Sequence, residues 1–313
     1  MIGIIILVVL FITVLFVSEY FFEKTNYYKK NYSETNKLKG NDKVDYVNTG
    51  STFAFYGIDY ESAGVKGLNL ALCPQSLEAD FRMLKHFENR YNNGATVFLV
   101  ISDLAFAKRE YSEASINEKY YKVLNSNEIN KYNVLKSIRA RFFPVLYSWK
   151  NFLRFHRDIK PDNEYGLKVN ENDREAVEAD AFIRCKSWMK EFTLDNLCDA
   201  HQRERFNETF NYTIKIVKSM ISWCEVRGYK PIVVNLPVSD EMKKCFSSEF
   251  LDAFYYDNVK KLDSVLFIDF QSDSRLSDYL LYLDSCRLNQ AGRTIISRIL
   301  LREAGNSFSG VRK

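Results

Sequence analysis

No lysine or arginine precedes the first apolar run of this 313-residue chain, no Ala-x-Ala follows it, and no second run matches its hydrophobicity. The missing basic segment and cleavage site argue against a signal peptide that is removed. The missing second run argues against a buried core helix, which would need apolar neighbours around it. What is left for residues 2–17, uncharged and broken only by Gly3 and Thr13, is an uncleaved anchor. Sixteen helical residues cover roughly 24 Å, a little short of the ~30 Å hydrocarbon layer. Tyr20, Phe21 and Phe22 extend the stretch as an aromatic interfacial belt, with Glu19 within reach of headgroups. A single-pass transmembrane helix is therefore expected over residues 1–23.

Metal-type cysteine spacing is also absent. Cys73, Cys185, Cys198, Cys224, Cys245 and Cys286 form no C-x-x-C pair, which removes zinc and thioredoxin-type sites and leaves buried thiols as the expectation. No metal and no cofactor is implied. A net charge of +4 is too mild for a dedicated nucleic-acid binder. The lysines that do flank the anchor, Lys24, Lys29, Lys30 and Lys37, all follow it. Taken alone, the positive-inside rule would put the large domain in the cytoplasm.

Beyond the anchor, residues 24–43 are polar and aperiodic, which reads as a stalk. The folded domain is expected over 44–313. Short apolar runs at 46–49, 67–72, 96–101, 231–236 and 265–270 are bounded by turn residues and separated by helical patterns. Ser76 can cap a helix with Glu78 and Asp80 in its first turn and Leu77, Phe81, Leu84 and Phe87 on one face. Further helices are expected at 212–227, 248–262 and 290–303. Strand, helix, strand repeated in this way predicts an α/β fold, a three-layer αβα sandwich around a mostly parallel five-stranded sheet.

The rhythm breaks between about 105 and 205, which reads as a helical insertion. Within it, residues 136–160 interleave Lys136, Arg139, Arg141, Lys150, Arg154, Arg157 and Lys160 with Phe142, Phe143, Tyr147, Trp149, Phe152 and Phe155. Two readings stand: a surface that meets acidic headgroups or an anionic glycan, or a helix pair whose aromatics pack on the sheet domain.

Two blocks carry the candidate chemistry. Asn48-Thr49-Gly50-Ser51-Thr52-Phe53 puts hydroxyls on a tight turn at the carboxyl edge of the first strand, where open α/β sheets hold their sites. Asp284-Ser285-Cys286-Arg287-Leu288-Asn289-Gln290-Ala291-Gly292 precedes the last helix. A G-x-S turn followed at the far end by a D-x-x-H-L-N-x-x-G-like block resembles the SGNH, or GDSL-like, hydrolase superfamily, in particular membrane-anchored acyl-transfer proteins of bacterial envelope and capsule polysaccharide. The resemblance covers roughly residues 45–105 and 205–305. It implies a flavodoxin-like sandwich, an extracytoplasmic domain, and surface polysaccharide or its biosynthetic proteins as partners.

It also implies roles. The nucleophile falls on Thr52, with Ser51 before it, the orienting aspartate on Asp284, and the position next to the oxyanion on Ser102, beside Asp103. The histidine position is occupied by Arg287. A guanidinium stays protonated at any accessible pH and cannot serve as general base, so Arg287 either closes the site by pairing with Asp284 or binds an anion there. Of the chain's histidines, His86 sits on the first sheet helix and His156 and His201 in the insertion. Asn69 and Gln75, at the end of the second strand, are candidates for oxyanion or ligand contacts. Two functions follow as expectations: an esterase or O-acyltransferase working through Thr52 or Ser51 with an altered site, or a binding or assembly subunit that holds an anionic ligand through Arg287.

Overall fold

The computed structural model describes residues 2–25, 28, 33–109, 118–146, 174–263 and 265–309, with Ser33 and residues 307–309 as backbone only. Residues 147–160 of the basic aromatic stretch, with His156, lie outside the described set. The chain divides into two units, residues 1–39 with 112–169, and residues 40–111 with 170–313.

In the first unit, α1 (Ile2–Glu23) is a 22-residue helix, about 33 Å long at 1.5 Å per residue. It is long and apolar enough to cross a membrane. Residues 2–17 are almost entirely exposed, whereas Glu19 and Phe22 are buried. After it, Ser33–Leu38 winds as a 3-10 helix with Leu38 buried. The unit also holds α4 (Val134–Phe142), capped by the Asn133 side chain, which accepts from the Lys136 N–H at 3.0 Å.

The second unit is built on five strands: β1 (Val44–Asn48), β2 (Gly67–Asn69), β3 (Tyr91–Val100), β4 (Lys230–Asn235) and β5 (Leu266–Asp269). Their order is β2-β1-β3-β4-β5 and every pairing is parallel. The central strands are continuous apolar runs, as a sheet covered on both faces requires: Val47, Val97, Phe98, Leu99, Ile232, Val233 and Val234 are fully buried.

Right-handed crossovers fix where the helices go. The β1–β2 connection moves one way along the sheet and carries α2 (Thr52–Gly57). The next connections move the other way and carry α3 (Leu77–His86), α6 (Asn207–Val226) and the helical residues 248–262. Opposite directions with one hand put α2 on one face and the rest on the other. Contacts agree: α2 packs with α7 (Gln290–Ser309), and α3 packs with α6, where Phe81 meets Trp223 edge-on at 6.4 Å. The helix between α4 and α6, α5 (Arg174–Phe192), buries Val177, Ala181 and Cys185 at a four-residue spacing.

Two strands depart from the sequence expectation. β2 stops at Asn69, three residues early: the Leu70 N–H still donates to the Asn48 carbonyl, and the Ala71 N–H, on the open edge of the sheet, turns to the Asn69 side-chain oxygen. β3 starts at Tyr91 and absorbs a shift in its pairing with β1 between Val44 and Tyr46. Gly94 lies in that stretch at φ +74°, a conformation that costs glycine nothing.

Candidate functional site

The turn after β1 is built for close approach. Gly50 has φ +121°, and a Cβ there would stand 2.8 Å from the Ala54 Cβ and 3.0 Å from the Val100 carbonyl oxygen. Its N–H donates to Asp80 Oδ1 at 2.9 Å. Gln75 completes the cradle: its side-chain amide donates to Asp80 Oδ1 (2.6 Å), to the Gly50 carbonyl (3.1 Å) and to the Leu70 carbonyl (3.2 Å). The Gln75 backbone N–H donates to Ser51 Oγ at 2.9 Å.

Ser51 occupies the N-cap position of α2, but its hydroxyl does not cap the helix. Thr52 opens that helix, and its hydroxyl takes part in no hydrogen bond among the described residues. Of the two hydroxyls, only the serine's is committed to the loop.

Asn69 has a different task. Its amide donates to the Ala54 and Ile58 carbonyls at 3.0 and 3.1 Å, and its oxygen accepts from the Asn48 amide and the Ala71 N–H, both at 3.0 Å. Each hydrogen-bonding arm is used. Asn69 brackets α2 to the strands and sets the angle at which Thr52 leaves the sheet.

Ser51, Thr52, Gln75, Asp80, Ser102 and Asp103 line one cavity of 210 Å³, together with Lys108, Trp188, Glu191 and Phe192. Its floor is the carboxyl edge of β1 and β3 and the turns that follow. Its wall is the last two turns of α5. Burial pushes the Asp80 carboxyl up to about 7, against the hydrogen bonds from Gln75 and Gly50 and with a further push from Glu78. Burial also pushes Asp103 up to about 7, against the Asn235 amide (3.3 Å) and with added repulsion from Asp269, while the Gln271 amide (3.2 Å) holds it down. Near neutral pH both carboxyls exchange between donor and acceptor forms. Lys108 pairs with Glu191 and lies 5.5 Å from the Phe192 ring centroid, so the one cation among the described lining residues is matched.

Asp284 and Arg287 lie elsewhere, in none of the residues that line this cavity. The Asp284 carboxylate accepts from the backbone N–H groups of Cys286 (3.0 Å) and Arg287 (2.9 Å), from the Arg287 side chain, and from Arg184 at 2.9 Å. Burial works against the charge on Arg287, and the Asp284 carboxylate more than restores it, holding the guanidinium above its ordinary value. The same guanidinium lies 5.1 Å from the Tyr56 ring centroid, one turn beyond Thr52 on α2.

Arg184 belongs to α5, and one turn earlier Asp180 accepts from Arg184 Nε (2.9 Å) and from the Ser285 N–H (3.1 Å) and hydroxyl (2.5 Å). The last block thus fastens α5 in place. A disulfide, Cys185–Cys245, and an ion pair, Arg174–Glu241 at 3.1 Å, hold the same helix from its other side. The expectation of thiols only is corrected for these two cysteines: the residues stand sixty positions apart, and no spacing rule reports such a pair.

Of the residues singled out in the sequence, the structure brings Ser51, Thr52, Gln75 and Ser102 to this one cavity, beside Asp80, Trp188 and Lys108, which sequence reasoning did not assign to a site. Asp80 looked like an ordinary first-turn acid of α3, a position that is usually exposed. No described histidine lines the cavity: His86 packs edge-on to Phe87 at 4.8 Å, and His201 is exposed. No protein-family model and no curated protein matches this sequence.

Proposed function

We propose that the chain is a membrane-anchored SGNH-like domain that holds a neutral, hydroxyl-rich ligand of the glycan class at the carboxyl edge of its sheet, without triad hydrolysis. The observation that carries this reading is the engagement of Asp284 and Arg287 with each other and with Arg184, outside the cavity that contains Thr52. The residues that resemble the acid and base of a triad serve as a fastener for α5. An arginine so paired also leaves little for an anion to bind, and Lys108 is matched by Glu191.

The lining suits sugar hydroxyls. Ser51, Thr52, Ser102 and the two carboxyls near neutrality offer both donors and acceptors, and Trp188 and Phe192 offer apolar faces. At 210 Å³ the cavity is below the ~300 Å³ where pockets for drug-sized ligands begin, which fits one ring or one acyl group rather than an extended chain. The Cys185–Cys245 disulfide supports an extracytoplasmic domain, in line with envelope or capsule polysaccharide and against the lysine bias after α1.

A second reading, acyl transfer through Thr52, draws on the uncommitted threonine hydroxyl and on Asp80 and Asp103 as carboxyl bases with pKa values suited to the role. The detergent-solubilised full chain separates the two. Binding of a panel of free and O-acetylated monosaccharides is followed by calorimetry in the wild type and Trp188→Ala, and p-nitrophenyl acetate hydrolysis and serine-reactive probe labelling are followed in the wild type, Thr52→Ala, Ser51→Ala and Arg287→His. Saturable binding lost in Trp188→Ala, with no labelling, is the expected result. Hydrolysis that disappears in Thr52→Ala would sink the binding reading in favour of acyl transfer.

A further inference from the structure

Helix α4 has a face that the described residues of the first unit leave uncovered. Ser137 and Ala140 are buried, and Arg141 turns back to donate to the Tyr121 and Leu124 carbonyls at 2.7 and 3.1 Å. On the other side, Val134, Leu135, Ile138 and Phe142 fall on one stripe at 100° per residue. They are 62, 72, 44 and 61 % exposed. Arg141 stands at one border of this stripe and Arg139 at the other. Scattered apolar residues on a surface need no explanation, but four on one face of a nine-residue helix do.

The position of that face relative to α1 decides what covers it. The segment that follows α4 is tied to the end of the anchor: Phe143 meets Phe16 edge-on at 5.4 Å, the Val145 N–H donates to Glu19 Oε2 at 2.9 Å, and Val145 packs with Phe22 and Tyr28. With Ile2 at one edge of the bilayer, a rise of 1.5 Å per residue places Phe16 and Glu19 about 21 and 26 Å across, at the far boundary of the ~30 Å hydrocarbon layer. The carboxyl end of α4 is held at that depth.

We propose that α4 is an interfacial helix that lies along the bilayer surface beside the anchor, with Val134, Leu135, Ile138 and Phe142 in the boundary between headgroups and acyl chains. Arg139, at one border of the stripe, extends toward headgroup phosphates, while Arg141 at the other stays bonded to the Tyr121 and Leu124 carbonyls. Unlike a spanning helix, α4 alternates an apolar arc with a charged one, the pattern of an element that lies in the interface plane. The proposal rests on the reading of α1 as a membrane anchor.

The test uses the full chain reconstituted in vesicles of phosphatidylcholine with phosphatidylglycerol, carrying one added tryptophan at a time and read as the difference from the wild type. Leu135→Trp and Phe142→Trp, two exposed positions, report the stripe. Lys136→Trp reports the polar side of α4, and Phe11→Trp reports the anchor. Lipids brominated near the headgroup are expected to lower the added emission roughly twofold at 135 and 142, for a burial depth of ~5–10 Å, and to leave 136 unchanged. Lipids brominated deep in the acyl chains are expected to quench 11 most. Quenching at 11 without quenching at 135 and 142 overturns the proposal for α4 alone, and equal quenching at 136 and 142 overturns the assigned face. Loss of quenching at 11 overturns the anchor itself.

Discussion

Replacing Asp284 by Ala removes the carboxylate on which two arginines and two backbone N–H groups of the last block converge. Asp284 is 5 % exposed, and breaking a buried ion pair from one side costs about 3–5 kcal/mol. That figure needs a discount. The Arg184 and Arg287 side chains are 27 and 23 % exposed, so water screens part of the lost pairing, and Arg184 keeps Asp180. A loss of about 2–4 kcal/mol remains. For a unit of this size, ~2–4 °C in Tm per kcal/mol, the midpoint should fall by roughly 5–15 °C. Asp284→Asn keeps an oxygen for the two backbone donors and should cost about half as much. The assay is thermal unfolding by circular dichroism in detergent, with Glu178→Ala, an exposed change on the same α5, as the reference. If Asp284→Ala falls within about 2 °C of that reference, where surface substitutions lie, Asp284 does not fasten α5. A double-mutant cycle with Arg184→Ala should give a coupling of about 1–3 kcal/mol, and a coupling near zero would refute the pairing directly.

The raised Asp80 pKa makes stability depend on pH in an unusual direction. Its folded value of about 7 exceeds the ordinary 3.8, so the folded state holds the proton more tightly and this group favours folding most at low pH. Stability from Asp80 should fall as pH rises from about 4 to 7, and Asp80→Asn, which keeps the acceptor for Gly50 and Gln75, should flatten that part of a denaturant midpoint-against-pH curve and be the more stable form at pH 8. A wild-type midpoint that rises over the same interval, with Asp80→Asn less stable at pH 8, would contradict this. Cys185→Ser should cost about 4 kcal/mol for a loop of sixty residues in urea without reductant, and almost nothing once the wild type is reduced. Gly50→Ala should destabilise by about 2–4 kcal/mol in the same assay, because a Cβ at φ +121° meets Ala54 and Val100.

The all-parallel α/β sheet was legible where burial on both faces dictates composition. Lys230–Asn235 reads as a buried strand from Ile232, Val233 and Val234 alone. Tyr91–Ala95 was not legible, because Asn92, Asn93 and Gly94 are residues that strands avoid, and their membership depends on a pairing shift with β1. The wall of the cavity was hidden for a related reason. α5 has its buried stripe on Val177, Ala181 and Cys185 but leaves Phe182 and Ile183 exposed, so its pattern points nowhere in particular. The hydroxyl turn at Ser51 and Thr52 announced itself through local sequence. Arg184 did not, since its partner Asp284 lies a hundred positions away and only the folded chain brings them together.

The fastening of α5 also separates two properties that many sites keep entangled. Trp188, Glu191 and Phe192 shape the outer side of the cavity, yet apart from the Lys108–Glu191 pair their helix is secured nearer its start, at Arg174, Asp180, Arg184 and Cys185. The helix is a cantilever, clamped from Arg174 to Cys185, with Trp188 and Phe192 presented beyond the clamp. Ligand preference can therefore drift through the two tip positions Trp188 and Phe192 while the sheet, the glycine turn and the clamp stay the same. A swap of those positions is the natural starting point for redesigning what the cavity admits.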